Sequence, residues 1–201
     1  MVDLGTLNPG LSTRANAVAG DGRLVVGWQD TGGGRRGARW TDGKLELFNG
    51  PTGIIGEAQA ANRDGSIVVG QACEFATREN PFGNQQAWIW TSREGVTCLQ
   101  PPRVRVLDNF IGTALATSED GRIVGGSHSF GLEAESLLWI DREPIYLKDY
   151  LRANGVPDAF QGWVNTGFIT GISRDGRMLI GYGAGRRDFQ GFIVILPENA
   201  K

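Results

Sequence analysis

The chain has 201 residues, enough for one large domain with its own core or two small ones, and its 40% hydrophobic content excludes a disordered chain. No apolar run approaches the roughly 18 residues that span a bilayer, and a net charge of −2 with a pI near 5.5 gives no electrostatic reason to expect nucleic acid as a partner. Glycine is the outlier, at 31 residues against 8 prolines, which points to many tight turns and close backbone approaches.

In chain order, MVDLGTLNPG carries no basic segment followed by an apolar stretch, so no signal peptide is expected there; its apolar alternation over Val2–Leu7 predicts a strand. The small-residue segment ANAVAG follows, then Asp21-Gly22 and LVVG, which reads as strand, turn, strand. A third strand ends at Trp40-Thr41, TDGK turns the chain, and KLELF is a fourth. The same order returns as AQAANR, Asp64-Gly65, IVVG, the long loop ACEFATRENPFGNQQ, Trp90 and VTCL. It returns again as ALATSE, Asp120-Gly121, IVGG, Trp139 and PIYL. LKDYLRANGVPD then sets Leu147, Tyr150 and Leu151 at helical spacing and stops at Asn154-Gly155 and Pro157, predicting a short helix over 147–154. The last unit runs ITGISR, Asp175-Gly176, MLIG and Val194, and ends at GFIVILPENAK with no fourth strand.

The four aspartates are spaced by 43, 56 and 55 residues, the range of propellers, solenoids and arrays. Asp-Gly between strand-like segments predicts a hairpin on a type I′ turn. Four antiparallel strands in each of four units make an all-β fold, read here as a single four-bladed β-propeller over 1–201. The repeats cover about 13–50, 56–100, 112–150 and 167–197, with the strand at 2–7 expected to close the last blade beside Gly191–Leu196. An open arc, or an eight-bladed ring shared by two chains, is the alternative.

The small-residue strand, the Asp-Gly-x-hydrophobic-Val-x-Gly core, the strand ending in Trp-Thr and the closing segment YLRANGV…GWVNTGFITGISRDGRMLIGYG resemble the HAF-repeat family of bacterial extracellular repeat proteins across nearly the whole chain. That resemblance implies a secreted or surface-exposed repeat protein and transfers no general activity. The histidine that gives the family its name is replaced by Arg36, Gln86, Glu135 and Gln190, so no role that depends on it carries over.

Aspartate in a turn is favoured for bonding its own backbone, and four aspartates in four separate blades do not converge on one point, so Asp21, Asp64, Asp120 and Asp175 read as architecture rather than a calcium site. His128, flanked by Ser127 and Ser129, is the sole histidine; its neighbours on a strand point to the opposite face, which disfavours a nucleophile pair. No metal-ligand spacing occurs, so no metal or cofactor is expected and no residue is assigned a catalytic role. Cys73 and Cys98 flank a third strand, about 9–10 Å between axes, too far for a bridge without distortion unless the strands meet at one rim; both outcomes stay open. Trp40, Trp90 and Trp139 share a repeat position and read as core, whereas Trp28, Trp88 and Trp163 do not share it and are freer for other roles.

Alternate turns of an up-and-down blade fall on opposite faces. The Asp-Gly turns and the third-to-fourth turns are short and uniform; the second-to-third loops and the connections diverge and share the other face, where binding on a rigid scaffold usually resides. That face carries the candidate ligand residues Arg35, Arg36, Arg78, His128, Phe130, Arg186, Arg187, Asp188 and Phe189, set against the plain alternative of a solvated loop surface. The expectation is a monomeric, non-enzymatic recognition or structural module, secreted or on the cell surface, taking a glycan, small-molecule or protein ligand. The alternative is a glycan-acting hydrolase, which would need two carboxylates about 5–10 Å apart near the channel mouth.

Overall fold

A computed structural model describes residues 1–50, 55–74, 85–102, 110–130 and 133–196, without the side chains of Glu74, Phe110 and Phe130. Strands come in four groups. The first is β1 (Thr13–Val18), β2 (Leu24–Asp30), β3 (Arg35–Thr41) and β4 (Lys44–Leu47), antiparallel in that order. The second is β5 (Ala58–Ala61), β6 (Ile67–Glu74), β7 (Gln85–Thr91) and β8 (Gly95–Cys98); the third is β9 (Phe110–Thr117), β10 (Ile123–Phe130), β11 (Glu133–Ile140) and β12 (Glu143–Tyr146). Helix α1 (Leu147–Ala153) follows where the spacing of Leu147, Tyr150 and Leu151 placed it, and all three are buried. The fourth group is β13 (Asn165–Ile172), β14 (Met178–Ala184) and β15 (Phe189–Ile195). The protein is all-β apart from this helix, among the described residues.

The repeated string is explained at atomic level. In every unit the turn aspartate accepts the backbone N–H two residues on, at 2.9 Å from Arg23, 2.9 Å from Ser66, 3.0 Å from Arg122 and 3.1 Å from Arg177, and the glycine beside it takes φ between 71° and 77°. The aspartate itself is not at positive φ, and the glycine N–H reaches back three residues, to Ala19 O or Ser118 O for example. The Asp-Gly turn is therefore a type I turn closed by a left-handed glycine, not the expected type I′. Type I′ geometry occurs instead at the third-to-fourth hairpins, where Asp42-Gly43 and Asp141-Arg142 both have positive φ.

The glycine that ends each string has a separate cause. Every first strand carries a bulge, and its carbonyl presses on the glycine opposite: a Cβ would lie 1.9 Å from Arg14 O at Gly27, 2.2 Å from Glu57 O at Gly70, 1.7 Å from Thr113 O at Gly126 and 2.1 Å from Phe168 O at Gly181.

The units pack face to face in an arc. Leu24 and Val26 of the first meet Val68 and Trp88 of the second; Ile67, Val69 and Ile89 meet Val124, Leu137 and Trp139 of the third; Ile123, Leu138 and Ile140 meet Ile169 and Leu179 of the fourth, with α1 sealing that last core. Units two and three also share one sheet, because β9 pairs with β6 through Gln71–Thr113 and runs parallel to β7 at Gln85–Ile111. First strands β1, β5, β9 and β13 pack in sequence, but β13 and β1 make no comparable packing among the described residues.

The expected closing strand differs too. Val2–Leu7 forms no strand and does not pair with β15, whose partner among the described residues is β14 alone. Asp3 Oδ1 accepts Gly5 N–H at 2.9 Å with Gly5 at φ 72°, which breaks the extended run, and Thr6 Oγ1 and Leu7 N–H both bond Gln29 Oε1 on the first unit. A local turn and a buried amide compete with the edge of β15 for this segment. Trp88, read as freer for other roles, is fully buried between the first two units, and Trp28 is buried as well; Trp163 packs on Phe160 and Phe192. Cys73 and Cys98 are bonded, with Cα atoms 5.8 Å apart, because the bulge in β6 between Gly70 and Cys73 carries Cys73 to the rim that Cys98 reaches.

Candidate functional site

A cleft of about 450 Å3 opens at the long-loop end between units one and two. Arg35 and Arg36 enter it from the start of β3, just after the glycine turn Gly32–Gly34, and Thr31 stands at the other side of that turn. Gly56, Glu57, Gln71, Ala72 and Gln85 of unit two form the opposite wall. A Cβ on Gly37 would stand 2.3 Å from Gly56 O, so glycine at 37 allows the two units to approach this closely, and one on Gly56 would stand 2.4 Å from Ala72 Cβ within unit two. Ala72 sits at φ 64°, a strained conformation for a non-glycine residue, next to the disulfide at Cys73.

Glu57 organises the floor. Its side chain is 8% exposed and accepts from Arg35 Nη1 at 2.5 Å, Arg14 Nη2 at 3.3 Å and Gln59 Nε2 at 3.2 Å. The two arginines also flank Trp28, 4.3 Å from its ring for Arg35 and 5.6 Å for Arg14. A carboxylate this buried needs such partners, since an unpaired one would cost several kcal/mol. Arg36 donates to Asn49 Oδ1 at 3.1 Å. Two guanidinium groups thus hold one carboxylate, a third, Arg36, lines the cleft, and the amide side chains of Gln71 and Gln85 complete the wall.

The other expected ligand residues separate. His128 is not on the loop surface. Alternation along β10 turns it to the same side as Val124, into the packing against unit two, where it is fully buried with Nδ1 2.7 Å from Tyr146 Oη. Burial lowers its pKa to about 4, so it is neutral at pH 7, and the same desolvation raises Tyr146 to about 12. Arg186, Arg187 and Asp188 are exposed on the β14–β15 turn, which Gly185 N–H closes on Asp188 O. They line neither the large cleft nor a smaller one of about 280 Å3 between units three and four, which holds Phe189, Tyr182, Phe168, Glu133 and Asn165. Arg78 and the Phe130 side chain lie outside the described residues. Only Arg35 and Arg36 of the expected set come together.

Arg14, Glu57, Gln71 and Gln85 were not among the expected residues. A signal existed: Arg14 and Glu57 both stand seven residues before their turn aspartate, so adjacent copies place opposite charges at one repeat position.

No family model matches the sequence, and no curated protein matches it. Among solved structures the chain is similar to TolB from Acinetobacter baumannii, at 16% identity and a TM-score of 0.46, covering 70% of this chain and 33% of that one. The chain thus spans about a third of the length of that protein.

Proposed function

We propose that the protein is a non-enzymatic recognition module that holds an anionic ligand, of the acidic-glycan class, in the cleft between its first two units. The observation that carries this reading is Glu57, buried at the floor between Arg14 and Arg35 beside an open cleft. Arg35 lends Glu57 one donor and is half exposed, so its remaining donors are available to a carboxylate, sulfate or phosphate in a planar, bidentate manner. Arg36 adds charge, and Gln71 and Gln85 offer the paired donor and acceptor that sugar hydroxyls need. The hydrolase reading has less support, because Glu57 is the single carboxylate lining this cleft and Glu133 the single one lining the smaller cleft, among the described residues.

We place the module in a secreted or surface-exposed bacterial protein, as the HAF-repeat resemblance implies. The Cys73–Cys98 bond fits an oxidising compartment. No helix among the described residues is long and apolar enough to cross a membrane. An array carrying uronate, sialylated, sulfated and neutral oligosaccharides tests the proposal. Acidic members are expected to bind, with at least a tenfold loss in Arg35→Ala and a further loss as salt rises. Equal binding of neutral sugars, indifference to Arg35→Ala, or turnover of a bound glycan would overturn it.

A further inference from the structure

Each inter-unit interface follows one rule. The third and fifth residues after the turn aspartate face the next unit, as Leu24 and Val26 do, Ile67 and Val69, and Ile123. The turn glycine of the next unit seats directly on the third residue: a methyl group would come within 2.8 Å of Leu24 at Gly65, 2.8 Å of Ile67 at Gly121 and 3.0 Å of Ile123 at Gly176. In units two and four the residue three before the aspartate joins the same contact, Ala61 against the first core and Ile172 against the third. Backbone bonds between neighbouring turns, Asp21 N–H to Arg63 O and Glu119 N–H to Arg174 O, lock the pattern.

Both ends of the chain hold an unused half of this interface. In unit four Met178 and Ile180 occupy the third and fifth positions and are 43% and 48% exposed, with Ile195 and Ile193 opposite them on β15 at 68% and 61%. In unit one a methyl group added at Gly22 would meet nothing within 4 Å, and Val18, the equivalent of Ala61 and Ile172, is 59% exposed. The N-terminal segment covers the other end of this face, at Gln29, and leaves the turn end open.

We infer that these halves mate head to tail between two copies of the chain, the apolar face of unit four on the Asp21-Gly22 turn and Val18 of a second copy. Mating within one chain requires β13 to pack on β1 as β9 packs on β5, and no such packing forms among the described residues. A second copy offers each exposed half the complement it lacks, and two copies joined at both ends would leave neither half open. This inference is independent of the ligand reading.

Sedimentation analysis of the whole chain and of surface variants tests it. Wild type is expected at twice the chain mass of 21.7 kDa in the micromolar range. A variant combining Met178→Glu and Ile193→Glu, and separately Val18→Glu, are each expected as monomers with unchanged circular dichroism. An equimolar mixture of the two is expected to recover a 1:1 pair, because one retains the unit-one half and the other the unit-four half. A wild-type monomer at all concentrations, including one whose ring closes internally, overturns the inference. So does undiminished association of either variant, or a mixture of folded variants that stays monomeric.

Discussion

Replacing Gly126 by alanine probes the contact that defines the repeat. The new Cβ would start 1.7 Å from Thr113 O, whereas a carbon–oxygen contact needs about 3.3 Å, so the bulged carbonyl or β10 must yield by about 1.6 Å. The carbonyl belongs to β9, which also pairs with β6 and packs beside β13, so three units resist the shift. Overpacking of this kind costs about 1–3 kcal/mol. Alanine returns about 0.4–1 kcal/mol by restricting the unfolded chain, and the clash still dominates. With about 2–4 °C of melting temperature per kcal/mol at this chain length, Gly126→Ala is expected to melt several degrees lower. Gly33→Ala is the control, because Gly33 has no atom within 4 Å and no positive φ, and it should stay within about 0.5 kcal/mol of wild type. Thermal and urea denaturation measure both. If Gly126→Ala melts together with Gly33→Ala, the bulge-against-glycine account of the repeat is wrong.

The Cys73–Cys98 bond closes a loop with a sequence separation of 25, and replacing both by serine is expected to cost about 3 kcal/mol on chain-entropy grounds. Urea midpoints with and without reductant measure this, and midpoints unchanged by reductant would show that the bond contributes nothing. His128 is the sole histidine, so its ring proton signal is unambiguous in NMR, and its titration is expected near pH 4. The folded pKa lies below the unfolded value of about 6.5; the unfolded chain therefore binds more protons in that window, and stability is held above pH 6.5 and lost as pH falls toward 4. A titration midpoint near 6.5 would place the imidazole in solvent.

What the sequence disclosed follows from which interactions are local. The turn aspartates, the helix at Leu147–Ala153 and the first three strands of each unit depend on neighbours in the chain and were legible from spacing. The turn type was not, because Asp-Gly fits both type I′ and a type I turn capped by glycine, and the choice rests on backbone φ at Asp21 and its equivalents. The fate of Val2–Leu7 was decided by Gln29, 22 residues away, which no local pattern reveals. At the site, Arg35 and Arg36 were found because a glycine-rich loop announces a surface. Glu57 was missed because it immediately precedes a small-residue strand that reads as core, and its charge acquires meaning only when Arg14 of the neighbouring unit arrives beside it. His128 misled for the opposite reason: a polar residue near a loop was read as exposed, while β10 alternation buries it.

The most direct test of anion recognition at the cleft is an amide-resolved NMR titration with a trigalacturonate, set beside its neutral galactose counterpart. Saturable shifts are expected at Thr31–Arg36, Gly56–Gln59 and Gln71–Ala72 with the acidic sugar and not with the neutral one. Shifts confined to the Arg186–Phe189 turn, or the same response to both sugars, would contradict the account.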